Sequence, residues 1–267
     1  MIEIIHHPPG AAIRAALLDF DGTLSLVRSG WQRVMRALML ETLPAGKESG
    51  AALAAEVEAA IHRLTGQATI HQMEWLATEV ARRGGNPEPA ETYRRRYAER
   101  LAVHVAHRLA ALERGDLAAD ALLVPGARAL LQALRARGVL LILASGTDRD
   151  EVLREARALK IAGYFGVHVY GPGTHDPAFS KRAVIAWVLS HQCLAGPELL
   201  VIGDGPVEIA EAHAVGAVAV GVAFDEERGT GLDASRRERL IAAGVDLIVP
   251  DFVEYERLLA LVEHGER

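Results

Sequence analysis

Short apolar runs recur along this chain, each too brief for a helix, and three of the six close on glycine or an acid. Ile13–Leu18, Val139–Leu143, Val167–Tyr170, Leu199–Ile202 and Val218–Val222 have this form, and Leu247–Val249 is a weaker sixth. Runs of this length, apolar apart from Arg14 and His168 rather than strictly alternating, suit strands buried on both faces of a parallel sheet. Helical patterns lie between them at Gly126–Arg137, Asp148–Leu159, Ser180–His191, Pro206–Val215 and Ala234–Ala243. Strand followed by helix, repeated, predicts an α/β fold built on a doubly wound parallel sheet.

Residues 28–120 break that rhythm. No apolar run there reads as a strand, and helical periodicity appears near 29–43, 49–64, 69–83 and 88–113, interrupted by Pro44-Ala45-Gly46 and Gly84-Gly85-Asn86-Pro87. The expected division is an α/β core of residues 1–27 and 121–267 with a helical insertion at 28–120. The Arg-rich stretch Tyr93–Arg100 lies on an amphipathic pattern and reads as a solvated face rather than a polyanion site.

Charge narrows the partners. With 29 Lys plus Arg against 35 Asp plus Glu, the net charge of -6 opposes nucleic acid and anionic lipid, so an anionic ligand must be held locally. Neither nucleic acid nor membrane is expected as a partner, and the oligomeric state has no signal. A single cysteine, Cys193, excludes an internal disulfide and fits a reducing compartment. The N-terminal MIEIIHHPPG has no basic and apolar leader pattern, and no apolar stretch approaches the roughly 20 residues that span a bilayer. The expectation is a cytoplasmic protein.

The chemistry gathers where the apolar runs end. In extended chain, residues i and i+2 point the same way, so Asp19 and Asp21 of LLDFDGTLS start on one side with Phe20 opposite, and Gly22 permits a sharp turn. In a parallel sheet, the crevice beyond the carboxyl ends of the strands is where ligands bind. A lone acid there would be read as a turn or helix cap. LLVIGDGPVE, however, repeats the arrangement with Asp204, and Pro206 at a first helical position puts Glu208 in the first turn, where it would also serve as a capping glutamate. Carboxylates converging on one crevice repel one another unless a cation neutralises them, and a small all-oxygen set suits Mg²⁺. VLLILASGT ends a strand in Ser145 and Gly146, a hydroxyl and an amide able to face an anion. Ser180-Lys181-Arg182 opens a helix with two cations, and spacing does not choose between them.

Taken together, LLDFDGT, the serine of LILASGT, the lysine of FSKRAVI and VIGDGPVEI resemble, in order, the four motifs of the haloacid dehalogenase-like hydrolase superfamily. The phosphoglycolate phosphatase and β-phosphoglucomutase branch is nearest, because the long gap after the first motif is where that branch inserts a helical cap. The resemblance implies Asp19 as a nucleophile that becomes an aspartyl-phosphate, and Asp21 as the acid, then base, whose backbone carbonyl also reaches the metal. It implies phosphate contacts from Gly22, Ser145, Gly146 and Lys181, with Mg²⁺ held by Asp19, Asp21, Asp204 and Glu208. Glu208 departs from the commoner aspartate at its position. An acid two residues after the nucleophile separates this chain from the dehalogenase and phosphonatase branches.

The implied function is Mg²⁺-dependent hydrolysis of a small phosphorylated metabolite, a phosphate monoester. A sugar phosphomutase is the alternative within the superfamily, and a non-catalytic phospholigand-binding protein is the alternative outside it. Arg28, Trp31, Gln67 and His71 are the candidates for substrate contacts from the cap; taken singly, Trp31 reads more readily as core and His71 as a surface residue. A dinucleotide-binding oxidoreductase shares the layout, but Gly203-Asp204-Gly205-Pro206-Val207-Glu208 puts acids where a pyrophosphate would dock.

Overall fold

The computed structural model describes residues 1–44, 49–65, 69–173 and 179–264. It divides into two compact units, Met1–Val27 with Leu109–Arg267, and Arg28–Arg108. In chain order the elements are β1 (Glu3–Ile4), β2 (Ala15–Leu18), α1 (Trp31–Thr42), α2 (Gly50–Leu64), α3 (Thr69–Arg82), α4 (Ala90–Arg114), α5 (Ala127–Ala136) and β3 (Leu140–Ala144). They continue with α6 (Arg149–Ala158), α7 (Ala162–Phe165), β4 (Val169–Tyr170), α8 (Lys181–His191), β5 (Leu199–Gly203), α9 (Pro206–Ala214), β6 (Val218–Val222), α10 (Ala234–Ala242), β7 (Leu247–Val249) and α11 (Tyr255–His264).

The larger unit is a seven-stranded sheet in the order β1-β7-β6-β5-β2-β3-β4. All pairings are parallel except β1 with β7. The chain leaves β2 toward β3 and β4, then returns to the other side of β2 with β5, β6 and β7. Strand order therefore reverses beside β2, and a crevice opens there at the carboxyl ends. Register brings the two sides level: Leu18 stands beside Leu143 on one flank and Ile202 on the other.

β2 and β5 are fully buried along their whole length, as unbroken apolar strands covered on both faces must be. One core joins Ala15, Leu17, Ile142, Val201, Ala219 and Ile248 from the sheet to Ile185, Val188 and Ile209 from α8 and α9. Helix starts are capped where the residues allow it: Asp148 accepts from the Asp150 amide, Ser180 from Ala183 and Asp233 from Arg236.

Among the described residues, the elements of the smaller unit are all helices. Met35, Leu38 and Met39 of α1, Val57 and Ile61 of α2, Met73, Leu76 and Val80 of α3, and Tyr93 and Tyr97 of α4 make its core. These positions recur at helical spacing, which is why the segment reads as helices. The insertion ends at Arg108 rather than near 120. The residues after α4 belong with the sheet because the Leu26 amide donates to Leu122 O and the Val124 amide to Leu24 O. Two elements carried no sequence signal, the two-residue β1 and the four-residue α7, both too short to show a period. Val167, expected at the start of a strand, is exposed, and β4 begins at Val169. Among the described residues no helix is long and apolar enough to cross a membrane.

Candidate active site

Three strand ends deliver the site. Asp19 follows β2, Ser145 follows β3 and Asp204 follows β5, while α8 and α9 bring Lys181 and Glu208 at their first turns. The Lys181 ammonium donates to Asp19 Oδ1 at 2.6 Å and to Glu208 Oε2 at 2.9 Å. The lysine choice left open by spacing is decided by geometry, since Arg182 points to solvent and pairs with Glu211. Glu208 fulfils the capping role read for it and also meets Lys181. Its Oε1 accepts from the Gly205 amide at 2.8 Å, capping α9, while Oε2 meets Lys181. A Cβ at Gly203 would collide with this folded-back glutamate, so only glycine fits there.

Asp21 turns to different partners. Its Oδ2 accepts from the Thr147 hydroxyl at 2.8 Å and, at 3.5 Å, from Ser145. The Ser145 hydroxyl in turn accepts from the Thr147 amide at 3.0 Å. Thr147 is free for this because Asp148, not Thr147, caps α6. Gly22 lies buried at φ 74°, and a Cβ there would strike the Asp204 carboxylate. Gly146 is exposed beside Ser145, with open space where a side chain would project.

Asp19, Asp204 and Glu208 each offer an oxygen, and these lie within 4.8 Å of one another. Burial raises the Asp19 carboxyl well above the usual range, with Glu208 and Asp204 adding to the effect and Lys181 opposing it. Burial likewise raises Asp204 to about 6, although Arg236 opposes. Burial alone would lower Lys181, but Asp19 and Glu208 hold it above the ordinary lysine range. Four acids, Asp19, Asp204, Glu208 and Glu226, face two cations, Lys181 and Arg236. The surplus negative charge and the all-oxygen donors fit a hard divalent cation such as Mg²⁺.

Thr147, Thr23, Glu226 and Arg236 were not singled out from the sequence. Thr23 donates to Asp204 Oδ1 at 3.4 Å, and Arg236 reaches Asp204 from α10. Thr23 and Thr147 sit inside the quoted motifs, so adjacency was a usable signal for them. Arg236 and Glu226 follow a later strand and had none. In the smaller unit, Trp31 packs partly buried against the helical core, and His71 is exposed and paired with Glu74 at 3.0 Å. Arg28 lies near Tyr97, whose hydroxyl burial pushes upward while Arg28 opposes. Gln67 lies outside the described residues.

A family model for haloacid dehalogenase-like hydrolases matches residues 13–216, a span running from before Asp19 to beyond Glu208. The chain belongs to that family. No curated protein sequence matches it. Among solved structures it is similar to a HAD family hydrolase from Deinococcus radiodurans with bound phosphate and sodium, at 18% identity and TM-score 0.64, covering 94% of this chain and 97% of that one. It is also similar to a predicted phosphoglycolate phosphatase from Haemophilus somnus, at 16% identity and TM-score 0.62, covering 92% and 98%. A β-phosphoglucomutase from Clostridium difficile aligns at 13% identity and TM-score 0.56, covering 94% and 97%. At these identities the likeness is one of fold, and it extends over the sheet and the helical insertion alike.

Proposed function

We propose that this hydrolase is a Mg²⁺-dependent phosphatase acting on a small phosphate monoester through an aspartyl-phosphate on Asp19. The observation that carries the reading is the Lys181 ammonium set between Asp19 and Glu208, with Asp204 completing a carboxylate cluster within 4.8 Å. The phosphate bound to the D. radiodurans neighbour supports the same ligand chemistry.

Asp19 attacks phosphorus, forming a new O–P bond as the ester O–P bond breaks. Asp21 gives its proton to the departing oxygen, then takes one from the water that cleaves the acyl phosphate, which releases inorganic phosphate and restores Asp19. Lys181 offsets the repulsion between an anionic nucleophile and an anionic substrate, and the Ser145 hydroxyl with the Gly146 amide supplies phosphoryl contacts, whereas the Gly22 amide already donates to the Ser25 carbonyl at 3.0 Å and shapes the turn instead. Asp19, Asp204, Glu208 and the Asp21 carbonyl would hold Mg²⁺, which supplies charge neutralisation at the phosphoryl oxygens. Leaving-group recognition belongs to the helical unit, with Arg28, Trp31, Gln67 and His71 as its candidates. Unchanged kcat/KM in both Arg28→Ala and Gln67→Ala would end that assignment. The single exposed cysteine, Cys193, fits the reducing cytoplasm.

The test is phosphate release from a panel of phosphate esters, with Mg²⁺ or EDTA, for wild type beside Asp19→Asn. Mg²⁺-dependent release that vanishes in Asp19→Asn is expected. Phosphoryl transfer between positions of a sugar phosphate without net release would instead identify a mutase.

A further inference from the structure

Arg236 is an unusual residue to find where it is. It lies in the first turn of α10, where the helix dipole disfavours a cation, and its side chain is only 7% exposed. A buried guanidinium needs acidic partners, and it has them. Nη2 donates to Glu226 Oε1 at 2.9 Å, and Nη1 stands 3.3 Å from Asp204 Oδ2. Nε and Nη1 make no hydrogen bond, so the fork keeps buried donors in reserve on the side of Asp204. Glu226 is equally buried, and a Cβ on Gly22 would approach its Oε1 at 3.2 Å. The pair thus stands at the back of the carboxylate cluster. The helix start is otherwise complete, because Asp233 already accepts from the Arg236 amide. The loop between β6 and α10 also closes on its own backbone, through Asp225 N to Gly231 O and Asp233 N to Ala223 O. Neither the helix nor the loop needs a buried ion pair to form.

We propose that Arg236, held by Glu226, is a positioning residue that fixes the rotation of Asp204 as a metal ligand. One Asp204 oxygen is drawn to Arg236 and the other accepts from Thr23 at 3.4 Å, so the carboxylate is gripped from two directions. Arg236 and Glu226 cancel one another's charge, so the pair orients Asp204 without much altering the field that attracts a cation. Partners of this kind set ligand geometry, and losing one typically weakens metal binding about 10–100-fold. The proposal rests on the metal reading given under Proposed function.

The experiment measures Mn²⁺ affinity by electron paramagnetic resonance, with Mg²⁺ competition, for wild type, Arg236→Lys and the double variant Glu226→Gln/Arg236→Met. Arg236→Lys keeps the charge but loses the fork, whereas the double variant keeps the net charge and loses the ion pair. Both should bind Mn²⁺ at least tenfold more weakly than wild type. The Mg²⁺ concentration for half-maximal phosphate release should rise by a similar factor. Arg182→Met, which removes an exposed cation, is the control and should bind as wild type does. Circular dichroism establishes folding, and if the double variant does not fold, Arg236→Lys carries the test alone. Variants within threefold of wild-type affinity overturn the positioning role while leaving the metal site standing. A wild type that binds neither ion overturns both.

Discussion

At the scale of single residues, the site is a set of carboxylates with assigned partners, and each partner can be tested. The Thr147 hydroxyl holds the Asp21 carboxylate at 2.8 Å, and a hydrogen bond to a charged group is worth about 1.5–3 kcal/mol. Thr147→Val, nearly the same shape without the hydroxyl, should lower kcat at least tenfold with little change in KM, while Thr147→Ser should retain most activity. Steady-state kinetics with the best ester decides it, and a Thr147→Val enzyme as fast as wild type refutes the role. Gly22→Ala should be worse than an ordinary surface change, because φ 74° is strained for alanine by roughly 1–2 kcal/mol and the added methyl would push on Asp204. The expected result is a lower Tm together with weaker Mg²⁺ binding. A drop in Tm alone would mean that the Asp204 carboxylate tolerates the contact.

At the scale of elements, the buried strands give these residues a rigid base. Leu17 in β2 is wholly buried among side chains from both flanks of the sheet, so Leu17→Ala should cost about 2–5 kcal/mol in thermal or urea unfolding. Val207, one residue from Glu208 but 58% exposed, should tolerate alanine within about 0.5 kcal/mol. Equal losses for the two would contradict the packing described. The same strands were legible in advance, because an unbroken apolar run such as Leu199–Ile202 has few other places to go. β1 was not, since two residues paired antiparallel to β7 depend on a partner far away in the chain. The end of the insertion was also hidden. Helical periodicity runs on through α4 without a break, whereas residues from Leu109 onward group with the sheet, and Leu122 and Val124 bond to residues 24–26.

At the scale of the whole molecule, folding buries more negative charge than it neutralises, and this links stability to pH and metal. Burial raises Asp204 from 3.8 to about 6 in the metal-free protein. A carboxyl raised on folding contributes stability that is complete below its unfolded value and is lost as pH rises through its folded one. Metal-free protein should therefore lose stability between about pH 4 and 6, and Asp19, raised for the same reason, adds to the trend. Mg²⁺ must displace that proton at low pH, so its effect on Tm should be small at pH 5 and large at pH 7.5. An equal effect at both would show that the cluster is not where the ion binds. The alternation of strand and helix, the helical insertion and the residues Asp19, Asp21, Ser145, Asp204 and Glu208 could all be named from the sequence, because each lies at the end of a local pattern. Spacing left Lys181 and Arg182 open and only the family resemblance pointed to the lysine; tertiary structure seated Lys181 between Asp19 and Glu208, turned Asp21 toward Thr147, and carried Arg236 and Glu226 to the back of Asp204. Those outcomes depend on which helix face and which strand end meet across the sheet, and contacts between segments so distant in the chain leave no local pattern.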